Sequence, residues 1–142
     1  MMLFLDSSAA VKLYITEPGS ELVREQTEAA GQVFVAMVTY AEVRAAFAGL
    51  RRLQRLGIAA YRQTKLAWER DWTRFLRLPL SEAVCREAGQ MAEYYGLRGH
   101  DSVQLAAFAS LVRNAAAEVQ FCSFDSELSA AAVAWQAKQP RR

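Results

Sequence analysis

The sequence is poor in the residues that usually build metal and thiol chemistry. It has one histidine, His100, and two cysteines, Cys85 and Cys122, with no C-x-x-C pair. Ordinary cysteine–histidine zinc sites are therefore excluded. Both cysteines sit among apolar residues and read as buried and reduced. No apolar run approaches the roughly 18 residues of a membrane-spanning helix, so no membrane segment is expected. The apolar start, Met1 to Leu5, is too short for a secretory signal and has no basic region before it. The expected location is the cytoplasm. No internal repeat, low-complexity tract or dividing linker appears, and the 142 residues read as one domain, 1–142. Aspartate is scarce too: the chain holds only Asp6, Asp71, Asp101 and Asp125.

Apolar residues are plentiful, at 53% of the chain, enough for a substantial core. A domain of this size buries about 70% of its unfolded surface. The net charge of +2 hides an uneven distribution. Residues 1–43 carry two basic groups against six acidic ones, a balance of −4. Residues 44–77 carry nine basic groups against Glu69 and Asp71, a balance of +7. The remainder is close to neutral, at −1, and ends in a basic tail of Lys138, Arg141 and Arg142. A basic middle beside acidic flanks points to a polyanionic partner.

Short apolar runs alternate with helical patterns. "MLFL", "QVFVAM" and "VQFCSF" read as buried strands, and "LRLPL" as a possible fourth. "SSAAVKLYI" reads as a helix stopped by Pro18 and Gly19, and "SELVREQTEAA" as a helix ended by Gly31. Residues 39–76 read as a helical hairpin broken at Gly57. Ser81 is placed to cap the helix behind it. "LRGH" reads as a loop, "DSVQLAAFASLVRNAA" as a helix apolar on one side, and "DSELSAAAVAWQAKQ" as the closing helix. Such alternation predicts an α/β fold with a mainly parallel sheet. The order of the strands cannot be read from the sequence.

Three of the four aspartates stand where an apolar segment leads into a helix: Asp6 after "MLFL", Asp101 after "LRGH" and Asp125 after "VQFCSF". In an open parallel sheet, ligands bind beyond the carboxyl ends of the strands. Glu42, one turn into the helix after "QVFVAM", would face the same rim. Each acid alone has a plain explanation, as a helix cap or a first-turn acid suiting the dipole. Four together would repel one another and raise their pKa values unless a cation joined them. Carboxylates without cysteine or histidine select Mg²⁺ or Mn²⁺. Such an ion, held by few carboxylates, takes phosphate as its natural substrate. Hydrolysis of a phosphodiester is the chemistry these residues support. Ser7 and Ser8 have no histidine near them in sequence to act as a base, which argues against a serine nucleophile.

"FLDSSAAVKLY", "TYAEV", "LRGHDSVQLAAF" and "FCSFDSEL" resemble the successive motifs of PIN-domain nucleases, in particular the VapC-type toxins of bacterial toxin–antitoxin pairs. The likeness runs from Met2 to about Ala137. It implies a three-layer α/β/α sandwich and an endoribonuclease dependent on Mg²⁺ or Mn²⁺. The family's acids fall on Asp6, Glu42, Asp101 and Asp125, as catalytic and metal-binding residues. "LRGHD" is the most specific match and "FDSEL" the most variable. The resemblance further implies a homodimer and a small cognate antitoxin that fills the acidic groove, with RNA as substrate. His100 stands where the family often has an aromatic residue, and no catalytic role is assigned to it.

Arg51, Arg52 and Arg55, with further basic residues of the hairpin, are candidate contacts to RNA phosphates. Trp68 and Trp72 share a helix face, as core, dimer-interface or base-stacking residues. Two other classes of function compete. A receiver-type domain would accept phosphate on Asp6, but it wants an adjacent second acid, and Ser7 follows instead. A non-catalytic RNA-binding or interaction module predicts a broken acid set, yet all four acids are present.

Overall fold

A computed structural model describes residues 1–140. Arg141 and Arg142 of the basic tail lie outside the described residues. Four strands form one parallel sheet: β1 (Met2–Leu5), β2 (Gln32–Ala36), β3 (Leu76–Leu78) and β4 (Val119–Cys122). Their spatial order is β3-β2-β1-β4, so β1 lies inside the sheet with β2 and β4 as neighbours. Register pairs Leu5 with Val35 on one side and with Cys122 on the other. The next residue of each of these strands therefore emerges at one rim.

Among the described residues, seven helices cover the sheet. α1 (Ser7–Lys12), α2 (Ser20–Ala29), α3 (Thr39–Arg52) and α4 (Ile58–Trp72) belong to the first half of the chain. α5 (Glu82–Tyr95), α6 (Gly99–Asn114) and α7 (Ser126–Ala137) follow. Side chains alternate across a strand, and β1 shows the result directly. Leu3 and Leu5 pack with Ala9, Val23, Val43, Phe47 and Trp68, whereas Phe4 packs with Leu105, Phe108, Leu128 and Trp135. The two cores lie on opposite faces, which makes the three-layer sandwich. Phe4 stands 5.6 Å from both Phe108 and Phe121, ring centre to ring centre, so Phe4→Ala would cost about 3–5 kcal/mol.

The hairpin spans α3 and α4, and its tryptophans are core residues. Trp68 is fully buried, and Trp72 is half-buried with its ring 5.4 Å from Trp68 and 5.1 Å from Tyr40. Several boundaries differ from the sequence expectation. α1 ends at Lys12 rather than Ile15. α6 begins at Gly99, inside the expected loop, and is buried nearly all round rather than on one side. It packs against α5, α7 and the sheet, so no polar face is needed. Cys122 is buried as expected, but Cys85 is exposed on α5. No helix of the described residues is long and apolar enough to cross a membrane.

Candidate active site

The carboxyl ends of β1 and β4 deliver Asp6 and Asp125 to helix N-termini. Asp6 caps α1, its Oδ1 accepting from the Ala9 N–H at 2.9 Å. Asp125 caps α7, its Oδ1 accepting from the Leu128 N–H at 2.9 Å. The capping reading therefore holds for both, and it uses one oxygen of each. The second oxygens meet other partners at the rim. Asp6 Oδ2 accepts from Ser123 Oγ at 2.6 Å, and Asp125 Oδ2 lies 3.7 Å from the Arg98 guanidinium.

Asp6 is 3% exposed and is held by hydroxyls on both sides. Ser8 Oγ donates to Oδ1 at 2.7 Å, opposite the Ser123 contact. Ser123 Oγ also accepts the Asp125 N–H at 3.1 Å, so one hydroxyl ties the two aspartates' local frames together. Burial pushes the Asp6 carboxyl above the ordinary carboxylate range, and the charge of Glu42 adds to the push. Hydrogen bonds from Ser123, the Ala9 N–H and Ser8 pull the other way. The Cys122 thiol, next to this carboxylate, is pushed up to about 11 by burial and then by the Asp6 charge.

Glu42 sits in the first turn of α3. Its Oε1 accepts from Gln104 Nε2 at 3.1 Å. The same nitrogen lies 2.9 Å from Ser7 Oγ and 2.8 Å from Thr39 Oγ1. Gln104 is 1% exposed and links α1, α3 and α6 at one point. Asp101, in the first turn of α6, is 8% exposed. Arg98 Nε meets its Oδ2 at 3.4 Å, and His100 Nε2 meets its Oδ1 at 3.4 Å. Arg98 thus bridges Asp101 and Asp125.

The four acids are therefore arranged as two neighbouring pairs, Asp6 with Glu42 and Asp101 with Asp125. Ser123 connects the pairs, through Asp6 Oδ2 and the Asp125 N–H, and Arg98 bridges the second pair. Arg51, Arg52 and Arg55 are placed elsewhere. Arg51 and Arg52 close α3, nine and ten residues beyond Glu42, and Arg55 lies in the turn to α4. At 1.5 Å per residue they stand roughly 15 Å along the helix from Glu42. Lys12 is tied to Glu17 and to the Pro18 carbonyl. Sequence reasoning missed Ser123, Gln104 and Arg98. Each has at least one partner brought in from a distant part of the chain.

The donor set consists of carboxylates and hydroxyls. Among the described residues, no three histidine, cysteine or acidic side chains close on one point as a protein-only cage would. This arrangement fits a hard divalent cation held by one or two carboxylates, with the other positions left to water and substrate phosphate. A buried Asp6 beside Glu42 would supply the negative charge for it.

A parallel sheet in an α/β/α sandwich is a fold shared with known proteins. The chain belongs to the PIN-domain family, whose model matches residues 3–134. Ribonuclease VapC45 of Mycobacterium tuberculosis (strain CDC 1551 / Oshkosh) is 33% identical over 105 residues, 74% of this chain and 73% of its own length. Ribonuclease VapC49 of the H37Rv strain matches at the same identity and coverage. Among solved structures, the M. tuberculosis toxin VapC20, described as cleaving the sarcin-ricin loop, superposes with a TM-score of 0.63 at 17% identity. That match covers 91% of this chain and 94% of VapC20. FitAcB of Neisseria gonorrhoeae superposes with a TM-score of 0.67 at 19% identity, covering 93% and 94%. The two structural likenesses carry the fold.

Proposed function

We propose that the protein is a Mg²⁺- or Mn²⁺-dependent endoribonuclease and the toxin of a toxin–antitoxin pair. The observation that carries this is the Asp6 carboxylate. It is buried between two serine hydroxyls at the end of β1, with Glu42 beside it. An acid kept out of water without a basic partner costs stability, and a cation at the site offsets that cost. Membership of the PIN-domain family and curated relatives that are ribonucleases support RNA as the substrate.

The residues divide the work. Ser8, Ser123 and the Ala9 N–H hold the Asp6 oxygens in one orientation. Gln104 orients Glu42. Asp101 and Asp125 complete the acidic rim, with Arg98 balancing their charge. When bound, the cation supplies a water of lowered pKa and stabilises charge on the phosphoryl oxygens. The basic hairpin end, with Arg51, Arg52 and Arg55, draws the flanking RNA backbone to an otherwise acidic surface. A small antitoxin with a basic side chain aimed at the acids would silence the site, and the toxin would act in the cytoplasm as a homodimer.

The experiment is RNA cleavage by the purified protein in Mn²⁺, in EDTA, and with Asp6→Asn or Asp101→Asn. Cleavage is expected only for the wild type with metal. Full activity in either variant, or in EDTA, rejects the reading.

A further inference from the structure

Phe124 lies between Ser123 and Asp125 and is 41% exposed, although it is a large apolar ring. Three contacts fix it. Its backbone N–H donates to Ser8 Oγ at 2.9 Å, and that hydroxyl donates onward to Asp6 Oδ1. The ring edge rests on Gly19, where a side-chain carbon would fall 2.4 Å from Phe124 Cε1. Gly19 also has φ +94°, a conformation that suits glycine. The Lys12 ammonium stands over the ring, 4.6 Å from its centre, and is itself clamped by Glu17 and the Pro18 carbonyl. Lys12 is only 12% exposed, so it works as a prop rather than as a free phosphate ligand.

These holds take up the edge and one face of the ring, and the residue as a whole keeps its 41% exposure. We propose that the opposite face is a stacking platform for one unpaired nucleobase beside the cleaved phosphate. The inference rests on the nuclease reading and names a substrate contact within it. Stacking on an aromatic ring requires a base outside a duplex, which sets the preference for single-stranded RNA. A ring already immobilised loses little further freedom when the base arrives. Its tie to Asp6 through Ser8 sets the base at a fixed place relative to the acids. A single ring offers the area of one base, not of the broad apolar face of a protein partner, and it stands next in sequence to Asp125, an acid that the nuclease reading sets around the scissile phosphate.

The test is anisotropy of a labelled single-stranded RNA with wild type, Phe124→Ala and Phe124→Trp, with Ca²⁺ in place of Mn²⁺. Thermal melting checks that each variant folds. Phe124→Ala should weaken binding about tenfold, within the range for one stacked base, and Phe124→Trp should restore it. Duplex RNA of the same sequence should bind all three proteins equally. Wild-type protein should also lose affinity for RNA lacking one base at a single position, which needs no variant. Equal binding by Phe124→Ala, equal losses on duplex, or no sensitive position in the abasic series overturns the inference. So does a Phe124→Ala defect confined to antitoxin binding. Cleavage by the wild type in Mn²⁺, measured alongside, separates these failures from failure of the nuclease reading.

Discussion

Gln104→Met removes the amide that joins three helices while keeping the length of the side chain. Gln104 Nε2 has two hydrogens and three acceptors within reach: Glu42 Oε1, Ser7 Oγ and Thr39 Oγ1. Ionised Glu42 can only accept, so one hydrogen is committed to it, which also fixes which end of the amide is nitrogen. A hydrogen bond to a charged group contributes about 1.5–3 kcal/mol, and one to a hydroxyl about 0.5–1.5 kcal/mol. Against this, Gln104 Oε1 is buried without a partner, and such an oxygen costs about 1–3 kcal/mol. Methionine loses both bonds and also that penalty. The net expectation is a loss of about 1 kcal/mol in urea unfolding. Cleavage should fall further than stability, by about tenfold at saturating RNA, because Glu42 loses the group that orients it. Gln104→Glu sharpens the test. A glutamate there would face Glu42, and the like charge would raise its folded pKa above the unfolded value. Its stability would be highest below the unfolded pKa and would be lost as pH rises through the folded one. At neutral pH Gln104→Glu should therefore be less stable than Gln104→Met, and the gap should close in acid. Equal stability of the two at neutral pH would refute the contact between Gln104 and Glu42.

Other expectations follow from the same contacts. Burial raises the Asp6 pKa in the folded, metal-free protein, so ionised Asp6 removes stability as pH rises through that folded value. Asp6→Asn should be more stable than the wild type at neutral pH, with the difference vanishing below about pH 4, near the unfolded value; urea midpoints at the two pH values check it. Ser123→Ala deletes the 2.6 Å bond to Asp6 Oδ2 and should push that pKa higher still, moving the acid limb of the pH–rate profile upward. Changing Arg51 and Arg52 together to alanine should lower the slope of log binding constant against log salt by about 2 if both meet phosphate, and an unchanged slope would exclude them.

The strands were legible because β1, β2 and β4 are short apolar runs ended by turn or capping residues, a pattern set by local chemistry. Asp6 and Asp125 were legible for the same reason, since a cap declares itself in its own neighbourhood. The order β3-β2-β1-β4 was not, because parallel pairing is decided by which faces the helices must cover. Gln104 was hidden inside "SVQLAAF", where a lone polar residue on a helix reads as solvent-facing. It is buried because α6 is enclosed nearly all round, a fact of packing alone. Arg98 and Ser123 are separated in sequence from partners they meet in space. Cys85 points outward with Arg86 beside it, because only one stripe of α5 faces the core.

The proposed chemistry requires the acidic rim to grip a divalent cation. Its most direct test is calorimetric titration of Mn²⁺ into metal-free protein, wild type beside Asp6→Asn and Asp101→Asn. The wild type should take up the ion, and both variants should bind it at least about tenfold more weakly, a loss of about 1.4 kcal/mol. A wild type that takes up no Mn²⁺, or variants that match it, would contradict the account.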